Sequence, residues 1–518
     1  MRHRSTSLMR AVRDALTAMC AVLLALATAV ALAHLVGSPV APLAVSGAAA
    51  AFMLSGQRGG DPWRGGLASA AAFAVLMAAG TWITWRMPCQ PIVGAGLFVA
   101  LMTVSVWARR FGARAVRLGA MVPRALLVAL MTPHGGAARG WWPAGCWVAV
   151  IGFAAFWWVH AVRWAGPRMA GRSGPARRPV APLPQRRSVG LLVSTRAAVQ
   201  TGVALTAAFA VGHQLFAHHW QWTVVTALVV GLGRGGRGDL ALRGVERGAG
   251  AMAGALLAAG LAVVVHPHGT LGLVVIFAVL ATAAGFRARS YALFTATLTT
   301  LMSLLHEYFG HSAAHLLLIR FQAVAVGAAL AVAVGWFVAP VRAGEVLRLR
   351  LTAALRALAA LLDAHHSGTP VDVALLRFER AADAVESVAR PHRIYRRLLG
   401  TRRGRPHRAD LADALHDCRA PVRALTALGA VPGHPAGAAG TAATVTALRH
   451  WLADPGTALG LRHAPAAEWP LADLDAALAR LGRALPALAP RQAQPAARSA
   501  DQAEPDAELK SSGSRDRG

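Results

Sequence analysis

Three charged residues stand inside runs that are otherwise apolar, and they set the chemistry to be considered first. Arg320 lies five residues past His315 in the segment His315–Pro340, about 7–8 Å along a helix at about 1.5 Å per residue. A guanidinium at that depth either snorkels its head to the nearby surface or offers a planar fork of N–H groups that matches a carboxylate. Arg124 lies seven residues past Arg117 and directly after Pro123. That places it about 10 Å in, where the proline has loosened the backbone ladder. It reads either as a second anion contact or as a structurally paired cation. Glu307, with His306 beside it, is the one carboxylate placed inside these runs. It reads as a proton carrier in a low-dielectric wall, or as a solvated turn residue. Glu246 precedes Arg247 in the opening of another run, where complementing a helix dipole is sufficient reason for it.

These residues need helices in a bilayer to position them. The 518 residues are 55% hydrophobic and 15% charged, against roughly 25% charged in soluble domains, which excludes a single water-soluble globule. Apolar runs fall near 15–36, 40–55, 67–85, 91–107, 118–132, 142–162, 197–216, 219–232, 248–266, 269–285, 291–309 and 315–339. A span takes about 17–25 residues, so the second, fifth and eighth are short. With the N-terminus in the cytosol, 27 of the 31 arginines in residues 1–350 fall in inner segments and two, Arg86 and Arg139, in outer turns. The positive-inside rule predicts that asymmetry. Tryptophans agree, with Trp82, Trp85, Trp141, Trp142, Trp220 and Trp222 at outer ends, and Trp107, Trp157, Trp158, Trp164 and Trp336 at inner ends. Residues 1–33 also have a signal-like pattern ending Ala31-Leu32-Ala33, but the long apolar run reads as the first span.

The net charge of +30 is concentrated in the apolar part of the chain, where a nucleic-acid binder would instead carry it on a polar surface. No nucleic-acid partner is expected. Ten histidines fall at outer ends or turns, and the pairs His218/His219 and His266/His268 lack a definite ligand spacing, so no metal site is assigned. The four cysteines form no CxxC pair and suggest no disulfide framework. No GxxxxGK[ST], HExxH or serine-centred triad is found, so the chain is expected to be neither an ATPase nor an enzyme, and to need no cofactor.

The two halves repeat. Span two ends in Ser-Gly-Gln-Arg58-Gly-Gly60-Asp61 and span eight in Gly-Leu-Gly-Arg234-Gly-Gly236-Arg, 176 residues on. Each loop is followed by an arginine and a small-residue helix, Arg64-Gly-Gly66 and Arg247-Gly-Ala-Gly250. Six spans per half make the repeats parallel, and matching short, Gly-flanked spans point to a substrate path. Gly250 and Gly254 form a small-xxx-small pair that lets helices approach closely.

These residues resemble the fusaric acid resistance family, which includes the aromatic acid exporters. The likeness runs through Trp222-Thr-Val-Val-Thr-Ala, the Arg-Gly-Gly loop and Arg247-Gly-Ala-Gly250-Ala251-Met-Ala-Gly254-Ala-Leu, where Ala251 replaces the usual Thr. Tyr291, and Arg320 followed by Gly327 and Pro340, also fit, whereas Gln322, Ala323 and Val324 depart from the family pattern. The resemblance is good over about 190–340 and weaker over 15–165. It implies a transport fold and strengthens the reading of Arg320 as an anion contact.

Past residue 340 the pattern turns amphipathic. Leu347, Leu351, Leu355, Leu358, Leu361 and Leu362 line one stripe of a helix, and further helices are expected at 371–390, 407–428, 441–453 and 470–486. Gly400–Arg405 and Val431–Gly440 read as breakers. Arg390, Arg393, Arg396, Arg397, Arg402, Arg403 and Arg405 form a basic cluster suited to anionic headgroups or to a solvated loop.

The expected fold is therefore all-α: a polytopic membrane protein of two parallel six-helix repeats, about twelve transmembrane helices, plus a cytoplasmic helical C-terminal domain. Its divisions are 1–14 cytoplasmic, 15–162 first repeat, 163–196 basic linker, 197–339 second repeat, 340–488 helical domain and 489–518 disordered tail. The expected function is export of amphipathic organic anions, aromatic ones foremost, across the cytoplasmic membrane, driven by a proton gradient, with both termini cytoplasmic. Arg320, Arg124, Arg234, Arg247, His306 and Glu307 are the candidate transport residues, with Gly250, Gly254 and Gly327 in packing. The expected partners are membrane lipid and a small organic anion, with a homo-oligomer left open. An anion channel laid out like the aluminium-activated malate transporters, or an envelope assembly protein, are the alternatives.

Overall fold

The computed structural model describes residues 2–56, 66–132, 141–169, 187–217, 219–231, 236–265, 269–287, 289–308, 313–338, 343–399, 407–427, 435–455, 459 and 470–488. Arg234, the Gly-rich loops at 57–65 and 232–235, residues 170–186 of the linker and the 489–518 tail lie outside them, as does the His306 side chain. The chain divides into two compact units, Met1–Val341 and Arg342–Gly518.

Every apolar run of the first unit falls on a helix. These are α1 (Arg2–Val36), α2 (Val40–Ser55), α3 (Gly66–Arg86), α4 (Pro91–Trp107), α5 (Ala113–Met131), α6 (Trp141–Met169), α7 (Arg187–Leu215), α8 (Trp220–Gly231), α9 (Arg237–Val265), α10 (Gly269–Phe286), α11 (Tyr291–Tyr308) and α12 (Ala313–Phe337). Helix is the form that satisfies backbone groups within an apolar segment. Several hydroxyls embedded in these helices turn back on their own ladder: Thr81 Oγ1 donates to Met77 O at 2.9 Å and Thr201 Oγ1 to Ala197 O at 2.8 Å. Large apolar side chains such as Ile92 (87% exposed), Val264 (80%) and Phe337 (82%) face outward, which suits hydrocarbon rather than water.

Among the described residues, seven helices are long and apolar enough to cross a membrane: α1, α3, α4, α6, α9, α10 and α12. The full set of twelve spans expected from the sequence does not meet that measure. α2, α8 and the apolar stretch Tyr291–Leu305 are shorter. α5 carries Arg114, Arg117 and Arg124 within its 19 residues, and Gln200, His213 and Gln214 dilute α7.

Packing within residues 1–169 is echoed within 187–338. α1 packs on α2 and α6, α2 on α6, α3 on α5 and α6, and α4 on α5. Correspondingly, α7 packs on α8 and α12, α8 on α12, α9 on α11 and α12, and α10 on α11. The fourth helix of each set crosses over, α4 against α7 and α10 against α1. One core accordingly joins Val22, Phe73 and Phe156 to Ile276 and Leu304, and the other joins Phe98 and Met102 to Phe209, Val224 and Ala331. The short helix α8 is enclosed, with Thr223–Leu228 and Val230 all buried.

The second unit is helical too: α13 (Ala343–His366), α14 (Asp372–Leu399), α15 (Arg408–Asp417), α16 (Arg419–Ala427), α17 (Pro435–Ala453) and α18 (Leu471–Ala484). The leucine stripe of α13, from Leu347 to Leu362, is buried. Three expectations change. The helix placed at 407–428 is two helices parted at Cys418, because Pro421 has no N–H to give the Asp417 carbonyl. α14 runs on through Pro391 to Leu399, since one missing ladder bond is tolerated where the flanks are packed. The breaker at Val431–Gly440 is helical from Pro435, a residue well placed in a first turn.

Candidate functional site

Glycines set the spacing of the helices that carry the buried arginines. A Cβ at Gly250 of α9 would lie 2.6 Å from Ala292 O of α11, and one at Gly254 would run into Ala296 O. The bare backbone there lets Thr300 Oγ1 of α11 donate to Gly254 O at 2.9 Å. Gly327 of α12 does the same against α8, where a Cβ would meet Thr223 O at 2.5 Å. Close backbone approach of this kind is how apolar helices associate without a hydrophobic drive between them.

Arg320 lies between these close contacts, 8% exposed. Its guanidinium carbon stands 3.8 Å from the centroid of the Trp222 ring, and Nη1 donates to Ser303 Oγ at a long 3.4 Å. The side chain does not snorkel. Arg247 of α9, 5% exposed, lies within Coulombic reach of Arg320 and of Tyr291. Its Nε has no hydrogen-bond partner, and the hydroxyls of Thr223 and Thr226 on α8 are likewise buried and unbonded. Among the described residues neither guanidinium has a carboxylate partner. Burying one unpaired cation costs several kcal/mol, and two within reach of each other cost more, unless an anion joins them.

Glu307 follows Ser303 by one turn of α11, about 6 Å along the axis, and is half-buried. Position thus brings it to the Ser303 side of α11, and His306 is its neighbour in the same helix.

Arg124 belongs elsewhere. Pro123 has no N–H for the Gly119 carbonyl, and Arg109 Nη2 fills that place at 3.0 Å. Arg124 Nη1 donates to Ala120 O of its own helix at 2.6 Å, and the charge nearest in kind is Arg287, within Coulombic reach. Arg287 donates through Nη2 to Phe52 O at 2.7 Å and through Nη1 to Ser55 Oγ at 3.2 Å. The arginines predicted as two contacts of one path therefore stand in two separate places. Sequence reasoning passed over Trp222, counted as an interfacial ring, and Arg287, counted as a loop cation. A Trp directly before the apolar Thr223–Leu228 run was the available signal for the first; nothing in the sequence singles out the second.

The basic cluster of the second unit is in part neutralised. Arg393 pairs with Asp413 (2.8 Å) and Glu386 (3.1 Å), and Arg396 with Asp410 (2.6 Å) and Asp413 (2.7 Å), so these two are not free to hold headgroups. Arg402, Arg403 and Arg405 lie outside the described residues.

Residues 203–334 match the family model described as fusaric acid resistance protein-like. That segment runs from α7 to α12 and holds Trp222, Arg247, Ser303, Arg320 and all three packing glycines. No curated protein and no solved structure matches the chain. The family match and the apolar helices together suggest a multi-pass membrane transporter.

Proposed function

We propose that this chain, with its fusaric acid resistance protein-like segment, is an exporter of the cytoplasmic membrane for amphipathic, aromatic organic anions, driven by a proton gradient. In this reading α1–α6 and α7–α12 are two parallel repeats that thread the bilayer twelve times, with both termini and the helical second unit in the cytosol. The corresponding helix pairs of the two sets support it, as does the concentration of arginine in alternate connections.

The observation that carries the substrate class is Arg320, buried against Trp222 and without a carboxylate among the described residues. A long, weak bond to Ser303 leaves most of the guanidinium's N–H groups for a carboxylate, and Arg247 adds a second positive charge to the same seam. The indole supplies an apolar, stacking wall for an aromatic body. Glu307, one turn from Ser303, is the carboxyl through which proton movement couples to release of the anion.

The test is efflux of a panel of aromatic acids from cells carrying wild type, Arg320→Ala or empty vector, with and without an imposed pH gradient in reconstituted vesicles. Wild type exports at least ten times faster than Arg320→Ala at equal membrane abundance, and only with the gradient. Equal efflux from all three cell lines removes the substrate class. Gradient-independent unitary currents in place of coupled flux make the chain an anion channel.

A further inference from the structure

Outside the seam just described, a rigid cationic surface stands at the turn that joins α4 to α5. We propose that this turn binds the headgroup phosphate of an anionic phospholipid, through Arg110 and Arg114.

α4 runs on into a 3₁₀ turn, Ala108–Phe111, and the stretch Pro91–Phe111 is long and apolar enough to cross a membrane. Its last residues therefore stand at headgroup depth in the bilayer reading, on which this inference rests. The chain reverses at Gly112, whose φ of +108° favours glycine. α5 then returns close against α4. A Cβ at Gly119 would run into Ser105 O, and Arg109 Nη2 ties the turn to Gly119 O at 3.0 Å. Arg110 is held by stacking. Its guanidinium carbon lies 3.6 Å from the centroid of the Trp107 ring and 4.7 Å from that of Phe111, and these two rings meet edge to face at 5.3 Å. Aromatic faces steady the guanidinium and leave its N–H groups unspent.

The turn has no acid to answer its charge. No Asp or Glu occurs between Asp61 and Asp239. Among the described residues Arg110 and Arg114 make no hydrogen bond and no ion pair, and Arg110 Nε is buried without a partner. Arg114 is exposed in the first turn of α5. An anion with several acceptor oxygens satisfies both side chains. Exposed Leu97, Val104 and Phe111 run along α4 to the same place at two-turn spacing, a track for an acyl chain. A lipid phosphate uses the cations and the track together, whereas a soluble anion uses only the cations. A zwitterionic headgroup would bring an ammonium of its own to a turn that already holds Arg109, Arg110, Arg114 and Arg117, so the lipid that fits is net negative.

The experiment is native mass spectrometry of the purified full chain in detergent, titrated with phosphatidylglycerol or phosphatidylcholine. Wild type holds phosphatidylglycerol at least ten times more tightly than phosphatidylcholine. Arg110→Gln with Arg114→Gln weakens phosphatidylglycerol at least tenfold and leaves phosphatidylcholine within threefold. Arg114→Glu alone, at an exposed position, weakens phosphatidylglycerol to the same extent, and elution as wild type in size exclusion checks that both variants fold. Arg13→Gln with Arg289→Gln removes two exposed cations elsewhere in the first unit and keeps wild-type affinity. The proposal is overturned if wild type binds the two lipids alike, or if the Arg13 and Arg289 variant loses as much affinity as the turn variant. Either result leaves the bilayer reading standing; that reading fails instead if the chain stays in solution without detergent.

Discussion

Arginine is treated in opposite ways in the two compact units. In the second, Arg419 has Glu379 at 3.3 Å and Asp383 at 2.8 Å, Arg423 has Glu379 at 2.6 Å, and Arg393 and Arg396 share Asp413 between them. In the first, the buried arginines lean on rings, hydroxyls and backbone carbonyls: Arg320 on Trp222 and Ser303, Arg287 on Phe52 and Ser55, Arg124 on Ala120 O. A carboxylate partner cancels a guanidinium's charge and occupies its fork, whereas a ring or a carbonyl steadies it and leaves the charge uncancelled. Carboxylate pairing, as in the second unit, holds a structure together; the rings and carbonyls of the first unit leave, in the proposed reading, a demand for a mobile anion.

The sharpest way to break this contrast is to give the first unit a carboxylate of its own. Ser303→Asp places one beside Arg320, where Ser303 Oγ already stands 3.4 Å from Nη1. Affinity for an aromatic acid such as benzoate then falls at least 100-fold, about 2.8 kcal/mol, while the thermal midpoint holds or rises. Ser303→Asn, neutral and similar in size, stays within a few-fold of wild type. Benzoate bound equally by Ser303→Asp and wild type, in calorimetry, would mean the uncancelled charge has no bearing on anion binding.

The same contrast extends to what brings helices together. In the first unit α9 and α11 meet through Gly250 and Gly254, with Thr300 donating to Gly254 O. Gly254→Ala forces a methyl into Ala296 O, a backbone atom that cannot rotate away. Overpacking of this kind costs about 1–3 kcal/mol, read as a lowered thermal midpoint with reduced anion binding, since α9 and α11 carry Arg247 and Ser303. An unchanged midpoint would place the helices further apart than the glycines imply.

Much of this was legible in the sequence, and for a physical reason. Apolar runs that must satisfy their own backbone can only be helices, so the twelve runs and the leucine stripe of α13 all fall on helices, although α1, α7 and α9 begin well before the apolar run does. Arg320 carried a signal of its own as a charge at depth, Gly250 and Gly254 as small residues four apart, and Arg247 and Gly327 through the family likeness. What was hidden depended on three-dimensional neighbours. Trp222 looked like one more belt tryptophan until α12 laid Arg320 on it. Arg287 looked like a loop cation until the end of α2 drew it inward. Arg124, grouped with Arg320 by depth alone, instead bonds Ala120 O of its own helix. Pairing of Arg393 and Arg396 with Asp410 and Asp413 was also invisible, as these acids lie 14–20 residues on, across a chain reversal.

Within the second unit, protonation tests whether its stability is electrostatic in the way the pairs suggest. His392 stands T-shaped to His407 with ring centroids 6.2 Å apart. Burial first, then the nearby charges of Arg408 and His407, push it down to about 4. In the unfolded chain it titrates near 6.5. The unfolded state therefore binds the proton more readily, so this contribution to stability is complete above about pH 6.5 and is lost as pH falls toward 4. With the ring still partly open to solvent, the loss is on the order of 2 kcal/mol. Thermal unfolding of the full chain at pH 7 and pH 5 reads it, and His392→Gln removes most of the difference; an equal pH response in that variant would assign it to other groups.

The smallest effect comes from removing one acid from the paired cluster. Burial alone would raise Asp413, but hydrogen bonds from Arg396 and Arg393 hold its carboxyl below the usual carboxylate range. Asp413→Asn breaks both ion pairs at once. Even so, Arg393 keeps Glu386 at 3.1 Å and Arg396 keeps Asp410 at 2.6 Å, and the site is 40% exposed. The expected cost is therefore about 1 kcal/mol, a small drop in thermal midpoint that shrinks in high salt. The double change Asp410→Asn with Asp413→Asn strips Arg396 of both partners and puts it in the condition of Arg320. If the comparison is right, that variant gains a weak, salt-sensitive affinity for added acetate that neither wild-type Arg396 nor the single variant has. If it binds no anion, lack of a carboxylate is not enough, and the burial that surrounds Arg320 and Arg247 is what turns an unpaired guanidinium into a site.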